Sequence, residues 1–266
     1  VVLSLPEHEV RDALAPSSLL TRAGLVSLSR VGIFSLRNKL DLLSDKFADI
    51  IQSSATDPVT LLRDTVVPSK KSQLTLEDFT HITEPLKILI PYLEHAISSR
   101  KNGVNIFIYG KPGTGKSELV RVLAQHLARE LFEVTSEDED GDPIKGERRL
   151  RAYRAAQSVL TQRQAFILFD EVEDVFNDGD EFMGMKSTAQ TRKAWINRML
   201  EENTIPTIWL SNSIRCLDNA FIRRFDMVFE LSIPPKRQRK DIVRAACSSM
   251  LSEQAITRIA EIDTLT

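Results

Sequence analysis

One octapeptide constrains this chain more than any other part of it: Gly110-Lys111-Pro112-Gly113-Thr114-Gly115-Lys116-Ser117. It follows an apolar run, Val104 to Tyr109, that reads as a buried strand, and it opens a helical pattern that starts at Lys116. Strand, glycine loop and helix in that order make a phosphate-binding turn. Glycines at 110, 113 and 115 let backbone N–H groups converge on an anion with no Cβ in the way, and the helix directs its positive end at the same point. Lys116 would neutralise β- and γ-phosphate charge. The Ser117 hydroxyl is a hard oxygen donor suited to Mg²⁺.

Further strands are expected at Leu131 to Thr135, Ala165 to Phe169, Thr207 to Ser211 and Met227 to Ile233. Helices are expected at Pro85 to Ser99, Lys116 to about Glu130, Glu147 to Leu160 and Thr188 to Glu202. This alternation implies a parallel sheet covered on both faces. The second strand in that series ends in Asp170-Glu171, which delivers two carboxylates to the edge where the glycine loop lies. Asp170 would serve Mg²⁺, and Glu171 would polarise the water that attacks a γ-phosphate. Asn212, after the strand Thr207 to Ser211, brings an amide to the same place; on residue type alone it reads equally well as a turn residue. Arg223 and Arg224 end a short helix, either as solvated charge or as arginines that reach a neighbouring subunit's γ-phosphate.

Away from this constellation the chain is informative mainly by exclusion. Its 266 residues carry 35 basic and 37 acidic side chains, so no overall field draws it to nucleic acid or membrane. Its apolar runs fall far short of the roughly 20 residues of a membrane-spanning helix. Cys216 and Cys247 form no metal-type cluster and fit the cytoplasm. The four histidines have no zinc spacing. The first residue is Val, with no secretory signal pattern, which reads as a piece of a longer polypeptide. Residues 1–72 are expected to be a helical accessory region, from helical spacing at Val10, Leu14, Leu19 and Leu20 and then Leu36, Leu40, Leu43, Phe47, Ile50 and Ile51. Pro68 to Gln73 reads as its linker. The nucleotide-binding α/β domain would then be 73–235, with two lid helices at Lys236 to Leu251 and Ser252 to Ile262.

In combination these motifs resemble the AAA+ ATPase family from about Leu76 to Ile233. Gly110 to Ser117 is similar to its Walker A motif, Phe166 to Glu171 to Walker B, Asn212 to sensor 1, and Leu217 to Phe225 to the arginine-finger segment, nearest to the katanin and spastin branch. Leu76 to Ile82 resembles the family's adenine-holding entry segment, with His81 and Ile82 as candidate contacts. The resemblance implies an α/β P-loop core with a five-stranded parallel sheet of order 5-1-4-3-2, a helical region before it and an incomplete helical lid after it. It implies ATP and Mg²⁺ as ligands, Gly110 to Ser117 and Glu118 as nucleotide contacts, Ser117 and Asp170 toward the metal, and Arg223 and Arg224 acting in trans. It further implies a homo-oligomeric ring, usually hexameric, that hydrolyses ATP to remodel a protein client. The rivals are a nucleic-acid motor or loader on the same fold, and a nucleotide switch with negligible hydrolysis.

The chain departs from that family at several places. Lys111 stands where Pro is usual. Pro143-Ile144-Lys145-Gly146 lacks the aromatic of a substrate-gripping loop. The stretch Ser136 to Asp142 holds five acids in seven residues. Ser136, Asp138, Asp140, Gly141 and Glu147 match EF-hand positions, but the first lacks a carboxylate and Pro143 breaks the pattern, so a solvated acidic loop is preferred. The basic run Lys236 to Lys240 reads as a solvated helix face. Trp195, Met199 and Leu200 read as packing. Neither Arg244 nor Arg258 can be assigned as the lid's sensor arginine.

Overall fold

A computed structural model describes residues 6–28, 40–44, 47, 57–138, 141–176, 192–247 and 251–262. Helices α1 (Glu7–Ala13) and α2 (Leu19–Arg22) lead to an antiparallel pair, β1 (Val26–Leu28) with β2 (Leu40–Leu42). Then come β3 (Val66–Pro68), α3 (Thr83–Ser98), β4 (Asn105–Tyr109), α4 (Lys116–His126), β5 (Glu130–Val134), α5 (Gly146–Val159) and β6 (Ala165–Phe169). The chain continues through α6 (Glu173–Phe176), α7 (Lys193–Glu202), β7 (Thr207–Ser211), α8 (Asn219–Ile222), β8 (Met227–Glu230), α9 (Lys236–Cys247) and α10 (Glu253–Glu261). The expected start of α7 at Thr188 lies outside the described residues, as do residues 248–250, across which α9 is expected to reach Leu251.

The main sheet has six strands in the order β3-β5-β6-β7-β4-β8. β4 to β8 are parallel, and counted from β4 they run 5-1-4-3-2. The expectation of five strands, all parallel, needs correction at one edge. β3 pairs antiparallel with β5, Val66 opposite Val134 and Pro68 opposite Phe132. Proline ends that strand at the sheet's border, where a missing N–H costs no ladder bond.

Strand residues alternate between two cores, as a sheet covered on both faces requires. Phe107, Ile167, Phe169 and Trp209 face one side, with α5 and α7; Ile106, Ile108, Phe166, Leu168, Ile208 and Leu210 face the other, with α3 and α4. On the first side Trp209 stacks on Phe169 at 4.9 Å and meets Tyr153 at 5.0 Å. Leu200 is buried there, with Trp195 and Met199 packed against it.

The N-terminal region differs from the wholly helical expectation. It contributes a β pair and one strand of the main sheet, and Ala23, Leu25, Val26, Leu43, Phe47, Leu62 and Val66 join the same core as Phe107 and Trp209. Nor is 68–73 a free linker. Ser72 N–H donates to Gln125 Oε1 at 2.8 Å, Ser72 Oγ donates to Glu118 at 2.6 Å, and Arg121 Nε donates to Ser69 Oγ at 3.1 Å. These bonds strap the segment across α4. Leu36, Ile50 and Ile51, read as helical, lie outside the described residues.

Candidate nucleotide site at the sheet edge

Because β4, β6 and β7 are parallel and in register, their carboxyl ends open onto one edge, where ligands of open α/β sheets bind. β4 runs into Gly110-Lys111-Pro112-Gly113-Thr114-Gly115. Gly113 and Gly115 have φ of 79° and 88°, a left-handed backbone that glycine adopts without strain. Helix α4 starts at Lys116, so its free N–H groups face the loop.

Lys116 is 8% exposed, and its ammonium donates to the carbonyls of Gly110 at 2.8 Å and Lys111 at 3.1 Å and to Asn212 Oδ1 at 3.1 Å. Burial draws this ammonium below its ordinary pKa, while Asp170, Glu173 and Glu171 oppose that shift. Asn212 therefore meets the P-loop lysine through its side chain. Ser117 Oγ donates to Asp170 Oδ2 at 2.7 Å, and Asp170 Oδ1 accepts the Glu171 N–H at 2.8 Å. A hydroxyl and a carboxylate oxygen thus meet beside the loop, a donor set that suits Mg²⁺, whose shell is completed by phosphate and water. Glu171 is exposed, with φ of 52° and no side-chain partner among the described residues.

A cavity of about 340 Å³ opens beside Gly113, Thr114 and Gly115, walled by Phe79 and His81 and, from α9 and α10, by Val243 and Ile259. It falls at the small end of the roughly 300–1,000 Å³ of ligand pockets. His81 lines it with both ring nitrogens buried and in no well-formed hydrogen bond, with Gln238 and the Ser232 backbone nearby. Ile82 does not line it. This residue is 3% exposed and packs with Leu86 and Leu89, because the 3-10 segment Leu76–Ile82 turns Phe79 toward the loop instead. Glu118 also differs from expectation: its carboxylate accepts from Ser72 and Arg121, so it holds the strap and leaves only its backbone near the loop.

Burial holds the His81 imidazole below its ordinary 6.5, with Gln238 and the Ser232 backbone opposing. The unfolded chain then binds this proton more readily than the folded one. Stability is fully present above the unfolded value and is lost as pH falls through the lowered one. Thermal unfolding between about pH 7 and pH 5 should steepen this loss in the parent chain relative to His81→Gln; equal slopes would exclude it.

Arg223 and Arg224 are not at this edge. Both are exposed, Arg224 pairs with Glu201, and the neighbouring Asp226 binds the Asn105 backbone at the amino end of β4. That strand separates its two ends by about 13 Å. In the acidic stretch Asp138 N–H donates to the Asp142 carbonyl at 2.9 Å, Asp142 N–H donates back to Asp138 Oδ1 at 2.9 Å, and Gly141 takes φ of 83°. Asp140 of the EF-hand match, and Glu139 beside it, lie outside the described residues. In the basic run, Lys236 pairs with Glu261, Lys240 with Glu253, and Arg239 donates to the Ala260 and Pro234 carbonyls, so these cations hold α9 to α10. Arg244 forks onto Glu253 and is likewise a lid contact.

Two site residues escaped the sequence reading. Glu173 accepts from Ser211 Oγ at 2.8 Å and from the Asn212 N–H, tying β7's end to α6. Arg149 grips the backbone behind Asp170 and Glu171. The first had a signal, a further acid one residue past Asp170-Glu171-Val172; the second lay on the apolar face of a helix.

The family model of the ATPase family associated with various cellular activities (AAA) matches residues 106–233. Among curated proteins, the ATPase family AAA domain-containing protein 3-B of Xenopus laevis is 26% identical over 251 residues, 84% of this chain and 40% of its own length. The peroxisomal ATPase PEX6 of Candida glabrata is 28% identical over 172 residues, 62% of this chain and 17% of its own length. The proteasome-associated ATPase of Streptomyces scabiei is 26% identical over 184 residues, covering 58% and 30%. The chain thus spans less than half the length of each. No helix among the described residues is long and apolar enough to cross a membrane. Residues 106–233 thus match the AAA family of ATPases, and through them the chain is similar to that family.

Proposed function

We propose that this chain binds Mg·ATP at the sheet edge and hydrolyses it to ADP and phosphate, in a ring whose sites lie between subunits, to remodel a protein assembly in the cytoplasm. The observation that carries this is the meeting of Lys116, Ser117, Asp170 and Asn212 beside a cavity walled by the lid. Backbone N–H groups of 113–117 and the Lys116 ammonium hold the phosphates, and Asn212 fixes that ammonium's direction. Ser117 and Asp170 would hold Mg²⁺, which when bound would neutralise phosphate charge. Glu171 orients the attacking water and takes its proton.

Arg224, anchored at the sheet's opposite end, supports service to another subunit's phosphates rather than to this one's. The relatives' names place them at peroxisomes and proteasomes, which supports protein assemblies as clients. The engagement of Lys236, Arg239 and Lys240 between α9 and α10 argues against nucleic acid as the partner.

The composite site has a direct test. Arg223→Ala with Arg224→Ala should keep Mg·ATP affinity and lower turnover by about 10³-fold. Mixing it with Lys116→Ala, itself inactive, should restore turnover, since one interface in the mixture would join an intact pocket to intact arginines. Mixtures no more active than either component would exclude the shared site.

A further inference from the structure

Helix α5 carries a side chain whose charge alone would place it in solvent. Arg149 is 1% exposed. Its Nε donates to the Thr135 carbonyl at 3.0 Å, its Nη2 to the Asp170 carbonyl at 2.6 Å, and its Nη1 to the Glu171 carbonyl at 3.2 Å and the Asp174 carboxylate at 2.7 Å. The guanidinium lies 4.4 Å over the Phe169 ring. Burying an ion costs several kcal/mol unless its partners are complete, so so full a set of acceptors is what keeps the group in place.

Where those acceptors lie gives the arginine a role. The Asp170 carbonyl belongs to the peptide plane before the Glu171 Cα, and the Glu171 carbonyl to the plane after it. By holding both, Arg149 fixes the two backbone dihedrals that aim the Glu171 side chain. That backbone needs fixing: φ of 52° is left-handed, costs a non-glycine residue about 1–2 kcal/mol, and persists only where the surroundings over-determine it. The helix is seated closely enough to do so, since a Cβ at Gly146, one turn before Arg149, would stand 2.3 Å from the Asp174 carbonyl oxygen.

We propose that Arg149 is a positioning residue for hydrolysis, a buried fork that sets the turn presenting Glu171 to the attacking water. This rests on Glu171 acting in ATP hydrolysis. Arg149→Lys keeps the charge and loses the planar fork. Arg149→Met with Asp174→Asn removes the charge together with its carboxylate partner, which covers the case in which one unpaired buried group unfolds the chain.

Each variant is measured three ways: Mg·ATP affinity by calorimetry, turnover, and hydrogen exchange of nucleotide-free protein over 165–176 and 110–126. The expected result is affinity within about threefold of the parent, kcat lower by about 10²-fold with KM unchanged, and faster exchange in 165–176 alone. Unchanged exchange there, or exchange raised equally in both segments, overturns the proposal; so does parental turnover in a folded Arg149→Lys chain. Parental turnover indifferent to Glu171→Gln would instead remove the hydrolytic role of Glu171, and the exchange comparison would still decide whether Arg149 holds the turn.

Discussion

Lys116→Ala is expected to weaken Mg·ATP binding by about 10- to 10²-fold, the equivalent of the roughly 1.5–3 kcal/mol carried by hydrogen bonds to a charged group. In the ligand-free chain that ammonium is nearly buried, and its partners are two loop carbonyls and one amide. None is a carboxylate in direct contact, and burial lowers its pKa, so the folded protein holds a cation under-compensated until a polyphosphate arrives. Removing it should therefore leave the melting temperature without nucleotide nearly unchanged. What should shrink is the rise on adding Mg·ATP, which for the parent at a hundredfold excess over Kd is worth about 2.7 kcal/mol and for the variant at the same concentration about 0.4–1.4 kcal/mol. A full nucleotide-dependent rise in Lys116→Ala would mean that the phosphates sit elsewhere.

The parts of this site that were legible in the sequence are those whose chemistry is written in consecutive residues. The glycine loop, Asp170-Glu171 and Asn212 each follow a strand, and parallel pairing alone brings the strand ends together. β3 was not legible because Val66-Val67-Pro68 is three residues long and borrows its structure from β5. Arg149 was hidden for a related reason. In Gly146-Glu147-Arg148-Arg149-Leu150-Arg151 nothing in residue type separates it from Arg148 and Arg151, and only acceptors at Thr135, Asp170, Glu171 and Asp174 distinguish it. Helical spacing held a clue, since Arg149 shares a face with Tyr153 and Ala156, both buried. Ile82 was misplaced because a 3-10 segment does not keep the 3.6-residue period, and Phe79 takes the wall that Ile82 was assigned.

The same geometry separates binding from chemistry at Glu171. Its carboxylate is exposed and has no partner among the described residues, so Glu171→Gln breaks no contact there and should shift stability by no more than about 0.5 kcal/mol. The amide keeps the size of the group and still accepts a hydrogen bond through its carbonyl, but it cannot take a proton from water. General-base contributions run to about 10²–10⁴-fold, and turnover should fall by that much while Mg·ATP affinity and the nucleotide-dependent rise in melting temperature stay at the parental level. This pattern differs from the one expected for Lys116→Ala, in which the thermal response shrinks along with turnover. Steady-state phosphate release beside thermal unfolding, on both variants in one buffer, reads the two effects independently. Turnover by Glu171→Gln within about threefold of the parent would leave this carboxylate without a role in proton transfer and would favour a nucleotide-bound switch over an engine.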